Sequence, residues 1–143
     1  MDYFKATEIS AAGMAVQKAR VEAAALNLAN MNTSSAPGTE GYRPVKAVIR
    51  VVSGSFAQAL NGGAVRLVAP KAELVAQTGL PPRMAYEPGH PHADASGMVS
   101  YPSVDHTQEM MTVMTALRSY EANLTALQAT KTLAARALEI GSP

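Results

Sequence analysis

The sequence contains no cysteine and no tryptophan, and aromatic residues make up only 5% of it. Without cysteine there is no disulfide framework, no thiolate metal site and no cysteine nucleophile. So few aromatic side chains also leave no platform on which nucleotide bases could stack. Charged residues are scarce at 16%, and the net charge is only +1. Because nucleic-acid binders normally show a concentrated basic surface, we expect no nucleic acid among the partners.

Several functional segments are absent as well. No stretch reaches 18 apolar residues, so the sequence predicts no membrane span. The first 15 residues lack a basic segment followed by an apolar core, so we expect no cleavable secretory signal. Neither a phosphate-binding glycine loop nor a GxSxG nucleophile elbow occurs. His90 and His92 flank Pro91, but this spacing matches no common zinc motif. We therefore predict no catalytic residue, no cofactor and no metal, and interpret the histidines as polar loop residues.

The composition predicts a helix-rich chain with a thin core. Its 143 residues allow about one domain. Of the hydrophobic residues 27 are alanine, whereas leucine, isoleucine, valine and phenylalanine together number 28. That is about a fifth of the chain, the level at which a sequence can barely build its own packed core. Low net charge argues against disorder, so we expect a folded chain that its neighbours stabilise.

The first of three parts is a predicted helix over residues 3–31 with two apolar stripes. Successive residues of the first stripe are three or four positions apart, as in a coiled coil. Residues of the second stripe are seven positions apart and lie about 140° from the first stripe around the helix axis. Such a helix either lies inside a bundle or puts one stripe on its own chain and the other on a partner. The first stripe consists of Ile9, Ala12, Val16, Ala19, Ala23 and Leu26, and the second of Met14, Val21 and Leu28.

The middle part predicts a small β insert. Residues 32–41 are dense in turn formers and indicate an exposed loop. Strand-like runs follow at 45–52, 64–69 and 72–77, separated by glycine or proline. Residues 79–102 contain five prolines, each of which removes a backbone donor. We therefore expect this stretch to be an extended surface segment outside any central sheet.

The third part is a predicted helix over residues 105–140, about 54 Å long. Asp105 is placed to cap it, with Gln108 reaching back, and Gly141 is placed to end it. The face opposite its apolar residues carries mainly threonine, serine and amide side chains. Either this reflects the composition of the chain and has no structural role, or the face packs against neighbouring subunits. The apolar positions are Met110, Val113, Leu117, Tyr120, Leu124, Leu127, Ala134 and Leu138.

Three separated motifs resemble those of the bacterial flagellar rod and hook proteins, and most closely their proximal-rod branch. Near the N-terminus they are residues 10–14 (SAAGM), Gln17, residues 20–21 (RV) and residues 27–33 (NLANMNT). In the middle they are residues 86–88, 91, 93–95, 97, 99 and 102–105. In the last helix they are residues 109–110 and 117–123 (LRSYEAN). The resemblance therefore covers nearly the whole chain.

The resemblance implies a structural subunit and not an enzyme. The fold expected is mainly α with a small β insert, its long terminal helices packed as a coiled-coil-like pair. Residues 1–33 and 105–143 would form the rod core, and residues 34–104 the loop, β insert and Pro-rich segment. Polymerised, the helices would make a hollow drive shaft across the periplasm that transmits torque and encloses the export channel. The alternative from the residues is a soluble helical adaptor or export chaperone.

The resemblance also implies partners and an assembly surface. The partners are further copies, other rod proteins, junction proteins of the membrane ring, the surrounding P ring and the flagellar type III export apparatus, which would export the chain without a signal peptide. The residues expected at the assembly interface are Ile9, Met14, Val16, Val21, Leu26, Asn27, Leu28, Asn30, Met110, Val113, Leu117, Tyr120, Asn123, Leu124, Leu127 and Leu138.

Overall fold

A computed structural model describes residues 3–50 and 70–140 of the chain. Within them the fold is mainly helical with a small β insert between the terminal helices, as the sequence predicts, and this insert contains two antiparallel strand pairs. Neither helix in this part of the chain is long and apolar enough to cross a membrane. The elements in order are α1 (Tyr3–Asn30), β1 (Val45–Arg50), β2 (Lys71–Ala76), β3 (Arg83–Tyr86), β4 (Met98–Tyr101) and α2 (His106–Ile140).

The two helices pack against each other in antiparallel orientation. The side chain of Asn27, near the end of α1, bonds that of Glu109 at the start of α2, and Gly13 lies against Asn123 further along. With 28 and 35 residues, the helices are about 42 and 52 Å long. The longer α2 therefore continues beyond the start of α1. Coiled-coil geometry for this pair stays a prediction.

Asp105 caps α2 as predicted. Its Oδ1 accepts hydrogen bonds from the backbone N–H of Thr107 at 2.8 Å and of Gln108 at 3.2 Å. These bonds satisfy donors that the first turn of a helix leaves unpaired. Gln108 makes no return bond among the described residues, so the box is only half formed. Gly141, the predicted stop, lies outside the described residues.

Strands β1 and β2 form a ribbon that lies on α1. Side chains alternate between the two faces of a strand, and here one face is wholly apolar, whereas the other carries four charged residues and two valines. One face is apolar and mostly half-buried, whereas every residue of the other is exposed. The apolar face contacting α1 consists of Val45, Ala47, Ile49, Ala72, Leu74 and Ala76. Two of the predicted strands are thus confirmed, and the third, at 64–69, lies outside the described residues.

Residues 79–102, expected to be an extended surface segment outside any central sheet, include β3 and β4, which pair with each other in antiparallel register. All five prolines of the stretch lie outside the two strands. A two-stranded sheet has only edge strands, so the rule that excludes proline from central strands did not exclude this pair. Ser35, in the loop between α1 and β1, forms a β-bridge with Ser100 on the edge of β4 that does not pair with β3. Val99 of the same strand is fully buried.

The core of the described chain is thin. Among the described residues only five hydrophobic side chains are buried: Val16, Ala23, Ala24, Val99 and Ala116. Three of the five are alanines, which contribute little apolar area each. The helix pair therefore has little burial of its own to stabilise it.

Candidate assembly surface

Small residues form the contact between α1 and α2. Ala23 and Ala24 are buried on α1, and Ala116 is buried on α2. A Cβ atom added to Gly13 would lie 2.7 Å from Nδ2 of Asn123, which is closer than such atoms normally approach. The side chain of Asn123 therefore occupies the space beside Gly13, and a side chain at position 13 would displace it.

Several bulky apolar side chains of α2 are exposed, whereas Val113 and Leu127 are half-buried. We call five of the exposed side chains, at positions separated by four, three, seven and fourteen residues, the outer stripe: Met110, Met114, Leu117, Leu124 and Leu138. They are between 37% and 75% exposed. On α1, Phe4, Ile9 and Leu26 are exposed as well. Contiguous apolar exposure of this kind is typical of a surface that another molecule covers.

The sixteen residues expected at an assembly interface fall into three groups. Seven are exposed: Ile9, Leu26, Met110, Leu117, Tyr120, Leu124 and Leu138. Seven are half-buried: Met14, Val21, Leu28, Asn30, Val113, Asn123 and Leu127. Val16 and Asn27 are buried within the chain itself. The structure thus brings these two to the internal contact, and the role of all sixteen in assembly stays a prediction.

Asn27 is the centre of a polar cluster that joins α1, α2 and the start of β1. Its Nδ2 donates to the Val45 carbonyl and to Oε1 of Glu109, both at 2.9 Å. Its Oδ1 accepts from the Val45 N–H at 2.8 Å and from the Tyr42 hydroxyl at 2.9 Å. Asn27 is 1% exposed, and these bonds satisfy every polar position of its amide.

The environment of this cluster affects Tyr42. Burial raises the pKa of the Tyr42 hydroxyl above its ordinary value, and the negative charge of Glu109 raises it further. The hydroxyl therefore stays a donor to Asn27 at neutral pH. Sequence reasoning named Asn27 but missed Tyr42 and Glu109, because Asn27 and Glu109 are 82 residues apart and no local pattern links them.

The hydroxyl groups of α2 are satisfied within the helix. Those of Thr112, Ser119, Thr125, Thr130 and Thr132 each donate to the carbonyl four residues earlier, at 2.9–3.0 Å. Such bonds are a common alternative for hydroxyl side chains in helices. These five hydroxyl groups thus have acceptors within the helix, and both interpretations of the composition of this face stay predictions.

The histidine loop is built from local hydrogen bonds. The His92 N–H donates to Nδ1 of His90 at 3.0 Å, and Nδ1 of His92 lies 2.9 Å from the Ser34 hydroxyl. Asp94 Oδ1 accepts from the Ser96 hydroxyl and from the Met98 N–H, and these bonds lower the pKa of the Asp94 carboxyl. Over residues 3–50 and 70–140, no group of three or more potential metal ligands comes together.

Comparison with known proteins assigns this architecture to a class. A family model described as the C-terminal region of flagellar basal body rod FlgEFG proteins matches residues 95–140, which span β4 and α2. The whole outer stripe lies within these residues. Together with the relatives below, which are similar over nearly the whole chain, this match makes the chain a structural protein of the flagellar basal-body rod and not an enzyme.

Longer similarities identify the branch. The chain is 36% identical to the flagellar basal-body rod protein FlgC of Salmonella typhimurium over 134 residues, 94% of each chain. It is 34% identical to FlgC of Bacillus subtilis over an alignment of 151 residues, 99% of each chain. It is 36% identical to FlgC of Aquifex aeolicus over 141 residues, 97% of each chain. The chain belongs to the flagellar basal-body rod protein FlgC family, which confirms the resemblance found in the motifs.

Proposed function

We propose that this chain polymerises through its terminal helices into the hollow drive shaft of the proximal rod, which transmits torque and encloses the export channel. Residues 1–33 and 105–143 form the rod core in this proposal, and residues 34–104 face outward. The observation that carries it is the exposure of the bulky apolar side chains of the outer stripe, while three of the four buried hydrophobic residues that the structure describes in the two helices are alanines.

The energetics favour assembly over an independent monomer. Fully burying a leucine or methionine side chain contributes about 1.5–3 kcal/mol. The outer stripe and the exposed side chains of α1 therefore hold several kcal/mol of stabilisation that the chain does not use alone. Contacts between unlike surfaces of identical subunits generate rings or open helices. A long helix exposed along its length suits the open helical arrangement of a shaft.

The partners follow from this location. They are further copies, other rod proteins, the junction proteins of the membrane ring and the surrounding P ring. We propose that the rod crosses the periplasm and that the flagellar type III export apparatus delivers the chain without a cleaved signal. A thin core supports this route, because a marginally stable chain costs little to unfold for passage through a narrow channel.

A charge placed on the outer stripe tests the proposal. Leu124→Asp is expected to abolish rod assembly and motility when it replaces the natural chain in cells, because the assembled interface would bury an unpaired carboxylate. Leu28→Asp tests the second stripe of α1 in the same way. Thr125→Asp is the matched control, since this exposed neighbour adds the same charge to a different face of α2.

Circular dichroism separates assembly from folding in these variants. Leu124 is 37% exposed, so its substitution should leave the helix content of the purified chain unchanged. Functional rods built from Leu124→Asp would contradict the packing argument at this stripe. A monodisperse dimer with fully protected helices, in place of a polymer, would instead favour the soluble adaptor or chaperone.

A further inference from the structure

Strand β1 has one edge that β2 does not use. The Gln77 N–H donates to the Pro44 carbonyl at 2.8 Å, which fixes the alternation of hydrogen bonds along the ribbon. In an antiparallel pair every second residue bonds the partner strand. Lys46 and Val48 therefore direct their backbone groups toward β2, whereas Val45, Ala47 and Ile49 direct theirs toward the opposite edge.

Asn27 already occupies the first position on that edge. Its side-chain amide exchanges two hydrogen bonds with the backbone of Val45, at 2.8 and 2.9 Å, as a residue of an added strand would. The next two positions, Ala47 and Ile49, find no backbone partner on this side within the described chain. An unpaired strand edge is a template for another extended segment.

A groove runs beside this edge. Its volume is about 550 Å³, within the range of roughly 300–1,000 Å³ that ligand sites occupy. Ala23, Ala24 and Ala116 contribute small side chains to its lining, while the edge of β1 and Met111 of α2 line its sides. The small side chains leave room for a backbone to approach β1 closely.

The charge of the groove indicates the chemistry of its occupant. Arg20 and Lys46 both line it, and within the described chain neither forms an ion pair with a carboxylate. The carboxylate of Glu109, on the same lining, is engaged by Asn27. The complement of two cations that no carboxylate of the described chain pairs is an acidic side chain.

We propose that this groove receives an extended segment of a neighbouring rod subunit, which carries an acidic side chain and adds as a strand to the edge of β1. The proposal rests on the assembly function proposed above, because a rod subunit has neighbours along its whole length. Backbone bonds to Ala47 and Ile49 hold the segment, and Arg20 and Lys46 select its charge.

Amide hydrogen exchange at single-residue resolution tests the added strand. The purified chain and the same chain in isolated basal bodies are compared. We expect the amides of Ala47 and Ile49 to slow about tenfold or more on assembly, while those of Lys46 and Val48 are protected in both states. If the helices gain protection but Ala47 and Ile49 do not, the added strand is refuted and the assembly function stands. If no part of the helices gains protection, both fail.

A pair of photo-crosslinkers tests the occupant. A benzophenone amino acid replaces Met111, which lines the groove, or Met114, which is equally exposed (63% against 61%) but lies outside it. Met111 should capture an extended acidic segment of a neighbouring subunit, and Met114 a helix. Arg20→Ala should lower the Met111 product about fivefold, whereas Lys18→Ala on another face of α1 should not. Capture of the same helical segment from both positions, or equal yields in the two alanine variants, would overturn the proposal.

Discussion

Replacing Asn27 by aspartate tests whether the polar cluster positions the β1–β2 ribbon on the helix pair. The change preserves the shape of the side chain but turns the donor Nδ2 into an oxygen. That atom donates to the Val45 carbonyl and to Oε1 of Glu109, both at 2.9 Å. In the variant, an acceptor therefore faces two acceptors, one of them a carboxylate.

The expected loss of stability is about 4 kcal/mol at neutral pH. A neutral hydrogen bond contributes about 1 kcal/mol and one to a charged group about 2 kcal/mol, and the site of Asn27 is 1% exposed. Repulsion between two partly buried carboxylates adds about 1 kcal/mol or more. For a chain of this length each kcal/mol lowers the melting temperature by about 3 °C, so the total fall is about 12 °C.

Thermal and urea unfolding, followed by circular dichroism, measure this loss. Glu109→Gln added to Asn27→Asp should recover about 2 kcal/mol, because the glutamine amide can donate to the new carboxylate. Asn30→Asp is the control on the same helix, where the amide donates only to the Leu26 carbonyl, and it should cost about 1 kcal/mol or less. If Asn27→Asp is no more destabilising than Asn30→Asp, the cluster does not hold the ribbon.

Two further predictions concern the β3–β4 turn and the helix contact. The hydrogen bonds from Ser96 and Met98 lower the pKa of Asp94 below its ordinary 3.8. The stabilisation of the turn by the ionised carboxylate is therefore complete above about pH 5 and is lost as the pH falls through the lowered pKa. Amide exchange at Met98, corrected for its intrinsic rate, should therefore accelerate at low pH in the natural chain but not in Asp94→Asn, and equal pH profiles would contradict this. Gly13→Ala should leave the free energy of unfolding nearly unchanged. Alanine gains about 1 kcal/mol in helix propensity, but the new Cβ would lie 2.7 Å from Nδ2 of Asn123 and displace that side chain, which offsets the gain. In a background that carries Asn123→Ala, Gly13→Ala should instead stabilise the chain by about 1 kcal/mol, measured by urea unfolding. If the effects of the two substitutions on the free energy of unfolding are simply additive, the close approach of Gly13 and Asn123 is refuted.

The helices and their ends could be predicted from the sequence because their signals are local. The spacing of apolar residues marks α1 and α2, and Asp105 stands where a cap belongs. The alternation in β1 and β2 is equally local, since one face of each strand is apolar. In these elements the pattern of the chain and its tertiary contacts favour the same structure.

The contacts between elements could not be predicted in the same way. The apolar periodicity of α2 predicted a stripe of bulky residues, yet Ala116 is its one buried hydrophobic residue among those described, and Asn123 contacts Gly13 of α1. Periodicity identifies a face of a helix but not which face the nearest neighbour takes. The β3–β4 pair was missed because proline content was weighed without the possibility of a two-stranded sheet, and the partners of Asn27 were missed because they are distant in sequence.

Small residues inside the helix pair and bulky residues outside it have one common consequence. The buried hydrophobic residues of the helix pair are mostly alanines, whereas Leu117 and Leu124 are exposed. This distribution leaves the monomer a thin core and directs its remaining apolar surface to neighbours. The Asn27 cluster complements this arrangement, because specific hydrogen bonds fix the ribbon on the helix pair where apolar burial is too small to do so. A subunit built in this way carries its β insert in a defined position into any assembly that its helices make.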